Sequence, residues 1–148
     1  MKRSFKSQSS SLNPEIQNDR GNPLENKHTF TILVADRNPN VRELLKREMT
    51  AEGYRVLQAK DCREVLKRVF SHTPLDLLIF DLDLPDAGEV AIFEKINDRI
   101  PQLPVVLHSF QTDRANFPEA IIPAVFVEKR GNSVERLKKV VAKILNRT

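Results

Sequence analysis

The chain has one cysteine, Cys62, among 148 residues. That excludes an internal disulfide and any cysteine-rich metal site. Long apolar runs are missing too: no stretch approaches the roughly 20 residues that cross a bilayer. Lys2, Arg3 and Lys6 look like the charged start of a secretory leader, but no apolar segment follows them, so a cytoplasmic location is expected. Charge of one sign is scarce. Against 24 Lys and Arg stand 20 Asp and Glu, a formal net charge of +4. Half of that excess lies in residues 1–28, which hold five basic and three acidic residues. The sequence pI is about 9.4, yet no dense basic stripe with interleaved aromatics accompanies it. Nucleic acid is therefore not an expected partner, and neither is a membrane.

What is present fits an ordinary globular chain: 40% apolar and 30% charged residues. The length suits one domain of about 100–150 residues with an appendage. Residues 1–28 are rich in Ser, Asn, Gln and charge, with little beyond Phe5, Leu12, Ile16 and Leu24 to bury. Such a segment cannot offset its ordering entropy, so a disordered tail is expected there and a folded domain over 29–148. No internal repeat is visible.

From Phe30 a regular pattern begins. Phe30–Ala35 is an apolar run that reads as a strand buried on both faces. Asn40 and Glu43 offer a helix start, Val41, Leu44, Leu45 and Met49 recur at helical spacing, and Gly53 offers a C′ residue. Tyr54–Ala59 is a second strand. Asp61 and Glu64 open a helix with Val65, Leu66, Val69 and Phe70 on one face, which Pro74 ends. Leu75–Phe80 reads as the third strand, Val90–Asp98 as a helix, Pro104–His108 as the fourth strand and Ala124–Val127 as the fifth. Asn132 and Glu135 then open a last helix carrying Val134, Leu137, Val140, Val141 and Ile144. Strand and helix alternate about five times, and the strands are continuously apolar. That predicts an α/β fold, a doubly wound five-stranded parallel sheet with helices on both faces. The fourth crossover is expected to be short or irregular, since Pro118 and Pro123 interrupt it.

Ligands of such sheets bind outside the carboxyl ends of the strands. There the chain places Asp36-Arg37-Asn38, Asp81-Leu82-Asp83, His108-Ser109 and Glu128-Lys129-Arg130. A carboxylate, a hydroxyl and a lysine together suit a phosphoryl acceptor: one group attacks phosphorus and the others hold the transferred oxygens.

In the segments Ile32–Pro39, Leu78–Gly88, Pro104–Ser109 and Val125–Lys129, the chain resembles a bacterial response-regulator receiver domain, a CheY-like, flavodoxin-like fold. The resemblance spans about Phe30 to Thr148. It implies that Asp81 is the phosphoacceptor, with Pro85 and Gly88 in the loop after it. It implies that Asp36 and Asp81 hold Mg²⁺, that Ser109 and Lys129 contact the phosphoryl group, and that Ser109 and Phe126 are switch residues. The implied partners are a histidine kinase or phosphotransfer protein and an output protein the sequence does not name. The implied role is a stand-alone regulator of a phosphorelay, not an enzyme.

Four departures qualify the likeness. Arg37 stands where the family's second acidic residue is usual, and Arg130 stands where a proline is. The loop after Asp81 is one residue short, and the fourth crossover is altered. With Arg37 present, Asp36 and Asp81 against Arg37 and Lys129 cancel. At ~4 Å and an effective dielectric near 20, each charge pair is worth about 4 kcal/mol before desolvation. Weak Mg²⁺ binding is therefore expected, with Arg37 pairing Asp81 in the metal's place and Asp83 a possible ligand if it points inward. These departures keep an alternative open: a degenerate pseudo-receiver that binds proteins without phosphorylation. A more distant one starts from Leu78–Asp83, which is similar to the first motif of haloacid-dehalogenase phosphatases, although Pro85 replaces the later Thr. Cys62 reads as a small filler, His108 as packed or partly exposed, and His28 and His72 as surface residues. Lys138, Lys139, Lys143 and Arg147 read as a solvated or docking face of the last helix.

Overall fold

In the computed structural model, residues 29–87, 91–114 and 124–145 are described. The first strand, β1 (Thr31–Ala35), is buried at every position. It has a parallel neighbour on each side: β2 (Arg55–Ala59) on one edge and β3 (Leu77–Phe80) on the other. β3 pairs with β4 (Val105–Ser109), and β4 with β5 (Ala124–Glu128). The order is thus β2-β1-β3-β4-β5, all parallel, the five-stranded α/β sheet expected from the sequence. Because chain direction across the sheet reverses between β1 and β3, a crevice opens at their carboxyl ends.

Alternation along each strand divides the core in two. Leu33, Ala35, Leu78 and Phe80 face α2 (Cys62–Val69) and α3 (Ile92–Asn97), meeting Val65, Val69, Ile92, Phe93 and Ile96. The Phe80 and Phe93 rings pack edge to face at 5.2 Å. Ile32, Val34, Leu77 and Ile79 face α1 (Pro39–Ala51) and α5 (Ser133–Leu145), meeting Leu45, Met49, Leu137 and Val141. Continuous apolar strands are therefore required: both sides of the sheet are covered. The fourth crossover contains the four-residue α4 (Gln111–Arg114). The expectations for the 1–28 tail, for Gly88 and Val90, for Pro118 and Pro123, and for Arg147 lie outside the described residues.

Several local expectations need correction. The cap of α1 is Asn38, not Asn40: the Asn38 side chain accepts from the Asn40 N–H at 2.8 Å, and Pro39 occupies the first helical position. Proline's fixed φ suits that position and moves the start two residues earlier. Glu43 instead accepts from Gln58 Nε2 on β2. At α2 the expected cap forms: Asp61 accepts from the Glu64 N–H at 2.9 Å, and Glu64 reaches back to the Lys60 N–H. That helix stops at Val69, however, and leaves Phe70 55% exposed at its C-cap rather than on the buried face. Gly53, at φ +100°, follows the α1 cap residue Glu52 as expected. Lys138 is no free surface cation. It pairs with Glu48 at 2.8 Å, Glu135 at 3.3 Å and Glu52 at 3.8 Å, tying α5 to α1.

Leu137→Ala empties a fully buried position between α5 and the sheet. It is expected to lower the unfolding free energy in urea by about 2–5 kcal/mol. Phe70→Ala is expected to cost less than about 0.5 kcal/mol in the same assay. Equal losses would put Phe70 in the core.

Candidate functional site

Three polar residues prolong the sheet by one rung beyond its apolar strands. The Asp36 N–H donates to Ala59 O (3.1 Å), the Asp81 N–H to Ala35 O (3.0 Å) and the Lys129 N–H to Ser109 O (2.8 Å). Ladder hydrogen bonding thus fixes their backbones before any side chain interacts. The result is convergence at the crevice. Lys129 Nζ donates to Asp36 Oδ2 at 2.8 Å and to Asp81 Oδ2 at 2.9 Å. Ser109 Oγ donates to Asp81 Oδ1 at 2.9 Å and accepts from the Leu82 N–H at 2.6 Å. The Asp83 N–H also donates to Asp81 Oδ1, at 3.0 Å, and the Asn38 N–H donates to Asp36 Oδ1, at 2.9 Å. All four carboxylate oxygens therefore have a donor.

The group is deeply placed. Asp36 is 2% exposed, Asp81 is 3% exposed and the Lys129 side chain 11%. Burial raises the Asp36 pKa above its ordinary value, against the lowering effect of the Lys129 and Asn38 hydrogen bonds. Burial works equally against the Lys129 ammonium, but its hydrogen bonds to Asp36 and Asp81 prevail and hold its pKa above the usual lysine value. Charged Lys129 is thus a fixture of the pocket. With Asp36 and Asp81 it leaves one net negative charge inside.

Sequence reasoning anticipated that Asp36, Asp81, Ser109 and Lys129 would meet, and they do. Phe126 lies three residues before Lys129 on β5, half-buried and opposite Leu107. Arg37 and Asp83 stand differently from expectation. Arg37 does not pair with Asp81, whose oxygens are already taken. Its Nη1 lies 3.5 Å from both Asp83 Oδ2 and Asp83 O, with the two side chains 52% and 53% exposed. Asp83 does not point inward. The reason is backbone order: Arg42 Nη1 clamps the carbonyls of Asp36 and Arg37 at 2.7 and 3.3 Å, and Arg37 leaves that turn on the solvent side. Arg130 is exposed and pairs with Glu128.

Other contributors had no sequence signal. Arg42 sits mid-turn in α1 and reads as an ordinary helix cation. Phe110, exposed just after β4, places its ring 5.5 Å from Lys129 Nζ, a cation–π contact at the pocket mouth. Asp86 holds the loop after β3 by accepting from the Cys62 N–H at 2.7 Å and the Arg63 N–H at 3.3 Å at the start of α2. Cys62 itself is buried, and burial with the neighbouring Asp86 pushes its thiol pKa well up, as suits a filler.

A resident Mg²⁺ does not fit this donor set. Among the described residues no three carboxylate, imidazole or thiolate groups converge to hold a metal. Both available carboxylates are shared with Lys129. Adding a dication to a pocket with one net negative charge would leave buried positive charge, with Arg37 nearby adding more.

Comparison with known proteins gives the same architecture. The family model described as "Response regulator receiver domain" matches residues 32–141. Response regulator RR06 of Streptococcus pneumoniae is 37% identical over 80 residues, covering 54% of this chain and 36% of that protein. The CAI-1 autoinducer sensor kinase/phosphatase CqsS of Vibrio cholerae is 34% identical over 85 residues, 57% of this chain and 12% of that one. The chain thus spans about a third or less of these relatives. Among solved structures, the response regulator TrrA of Thermotoga maritima, in complex with Mg²⁺-BeF, superposes with a TM-score of 0.69. It is 31% identical, with 79% of this chain and all of that one covered. Chemotaxis response regulator CheY4 of Vibrio cholerae, 20% identical, also gives 0.69 over 80% of this chain and all of that one, a likeness of fold.

One residue behind the pocket has its own pH dependence. His108 is buried, its Nε2 lies 3.0 Å from Ser133 Oγ at the start of α5, and its Nδ1 has no partner among the described residues. Burial, with the Lys129 charge second, pushes its pKa down to about 4. An unfolded chain binds the proton near the ordinary value of 6.5, so this residue's contribution is present above that value and is lost as pH falls toward 4. Between pH 7 and pH 5 the loss is expected to be about 2 kcal/mol in urea unfolding. A His108→Leu variant should lack that slope.

Proposed function

The chain belongs to the response-regulator receiver domain family, and from that membership we propose that Asp81 accepts a phosphoryl group and that a partner protein reads the change. Receiver domains are generally non-enzymatic signalling modules of two-component systems, which favours the acceptor reading over the phosphatase reading of Leu78–Asp83. The observation that carries the proposal is one carboxylate, Asp81, held between the Ser109 hydroxyl and the Lys129 ammonium.

The chemistry follows from those contacts. A carboxylate oxygen of Asp81 attacks the phosphorus of a phosphohistidine donor. The P–N bond breaks, and the donor imidazole nitrogen keeps the electron pair. Asp81 is then an acyl phosphate, and its carboxyl oxygens no longer carry the charge that held Lys129. Lys129 and Ser109 follow the charge onto the phosphoryl oxygens. Ser109 ends β4 and Phe126 lies on β5 beside it, so the rearrangement reaches the edge of the sheet, where an output partner can read it. Donors suited to this step are histidine kinases or phosphotransfer proteins. A sensor kinase such as CqsS contains a region like this chain. In this reading residues 29–148 form the receiver and 1–28 a tail.

One observation favours a second reading. Every oxygen of Asp36 and Asp81 already has a donor at rest. A pocket closed in this way also suits a pseudo-receiver that binds its partner without phosphorylation.

Intact-mass measurement after incubation with phosphoramidate, acetyl phosphate or a phosphorylated histidine kinase separates the two. The acceptor reading expects one added phosphoryl group, absent in Asp81→Asn, and a rate lower by about 10²-fold in Lys129→Ala. No adduct from any donor would leave the pseudo-receiver reading standing alone.

A further inference from the structure

The acceptor reading, on which this inference rests, raises a question of charge. At rest, Asp36 and Asp81 against Lys129 leave one net negative charge in the pocket. Transfer removes the Asp81 carboxylate charge and brings a phosphoryl group of about two negative charges. The phosphorylated pocket therefore needs one more positive charge than the resting one. The donor set does not fit a resident Mg²⁺, and Lys129 is already committed. Arg42 is spent on the backbone carbonyls of Asp36 and Arg37, which leaves Arg37 as a cation at the crevice rim that the resting pocket does not engage.

We propose that phosphoryl transfer to this receiver does not require a metal, and that Arg37, at the pocket rim, binds the phosphoryl oxygens where a metal would otherwise neutralise them. Its place is set by two observations. Arg42 pins the carbonyls of Asp36 and Arg37, so the Arg37 backbone is anchored one residue beyond the pocket carboxylate Asp36. At the other end, Arg37 Nη1 is 3.5 Å from the Asp83 carbonyl, and the N–H of Asp83 donates to Asp81 Oδ1 at 3.0 Å. The guanidinium thus sits beside Asp83, the residue two along the chain from the acceptor.

Its present partner is a weak competitor. The Arg37–Asp83 pair is long and about half exposed on both sides, and such pairs contribute little. A phosphoryl group offers the planar guanidinium a bidentate, doubly charged partner instead. The same exchange explains why a cation at this position is compatible with an acceptor pocket. Arg37 repels a metal from the resting pocket and attracts the product.

The test uses the full chain. Calorimetric titration with millimolar Mg²⁺ is expected to give no binding to the resting protein; submillimolar affinity would overturn the proposal without reference to phosphorylation. Next, phosphoramidate supplies the phosphoryl group, its P–N bond breaking as ammonia leaves. Intact mass follows the adduct in EDTA and in Mg²⁺. Rates agreeing within about twofold are expected, and Arg37→Ala should fall by about tenfold or more in EDTA, whereas Arg47→Ala, an exposed arginine on α1, should not. A Mg²⁺ stimulation of about tenfold in the wild type, or an unchanged Arg37→Ala rate, would overturn the assignment. Arg37→Asp places a third carboxylate beside the pocket and should acquire both calorimetric Mg²⁺ binding and Mg²⁺ stimulation; a variant as indifferent to metal as the wild type would show that Arg37 does not set the requirement. Absence of adduct in both buffers would remove the acceptor reading itself, and this inference with it.

Discussion

The Lys129 ammonium lies between two buried carboxylates, and the carboxyl edge of the sheet is organised around it. At 2.8 and 2.9 Å, each attraction is worth about 6 kcal/mol at an effective dielectric near 20, before desolvation is charged against it. Desolvation is severe, because all three groups are withdrawn from water and Asp36 and Asp81 repel each other. The balance is helped because every carboxylate oxygen has at least one donor, with Asn38 N–H on Asp36 and Ser109 Oγ and Asp83 N–H on Asp81 beside the lysine. A buried ion pair with full hydrogen bonding is tolerable where a half-satisfied one is not. Lys129 is therefore a structural cation of the resting pocket, neutralising part of the charge of both aspartates.

That cation can sit there because strand order dictates it. Asp36 and Asp81 follow the neighbouring strands β1 and β3, and Lys129 follows the edge strand β5, two places from β3 and three from β1. Only a long flexible side chain spans from β5 across β4 to both aspartates; a second short acid there would leave a gap. The turns that present these residues are braced by separate devices. Arg42 grips the carbonyls after β1, and Asp86 ties the loop after β3 to the first N–H groups of α2. Neither brace touches a carboxylate of the pocket, yet each fixes a backbone from which one of them projects.

Much of this was legible in the sequence, and the reasons are physical. Apolar runs that stop at an aspartate or a serine mark strand ends, and parallel topology carries those ends to one edge. Asp36, Asp81, Ser109 and Lys129 could therefore be grouped without coordinates. Direction was not legible. Arg37 was expected to face Asp81, because sequence adjacency says which turn a residue occupies and not on which side it leaves. Competition between neighbouring caps was equally hidden: Asn38 and Asn40 are alike as cap residues, and Pro39 decides between them through its fixed φ. Phe70 continued the helical period but fell one residue past the last turn. Pairings between distant residues, such as His108 with Ser133 or Lys138 with Glu48, leave no trace in spacing at all.

The adjacency of His108 and Ser109 gives β4 a role that neither residue has alone. Alternation sends Ser109 to the Asp81 pocket and His108 to the opposite face, against Ser133 at the first turn of α5. The two side chains share one stretch of backbone that pairs with Val127 and Glu128 of β5. Ser109 Oγ is held from two sides, donating to Asp81 Oδ1 at 2.9 Å and accepting from the Leu82 N–H at 2.6 Å, so it cannot shift by its own rotamer with both bonds intact. The strand end must move with it or the bond must break. If the strand end moves, the buried imidazole moves too, and its one hydrogen bond to α5 is strained. The neutral imidazole matters here. A charged one would be solvated rather than packed, and the rigid contact between strand and helix would be lost. Burial that pushes the His108 pKa down to about 4 thus keeps the imidazole neutral and packed against α5 across the neutral range.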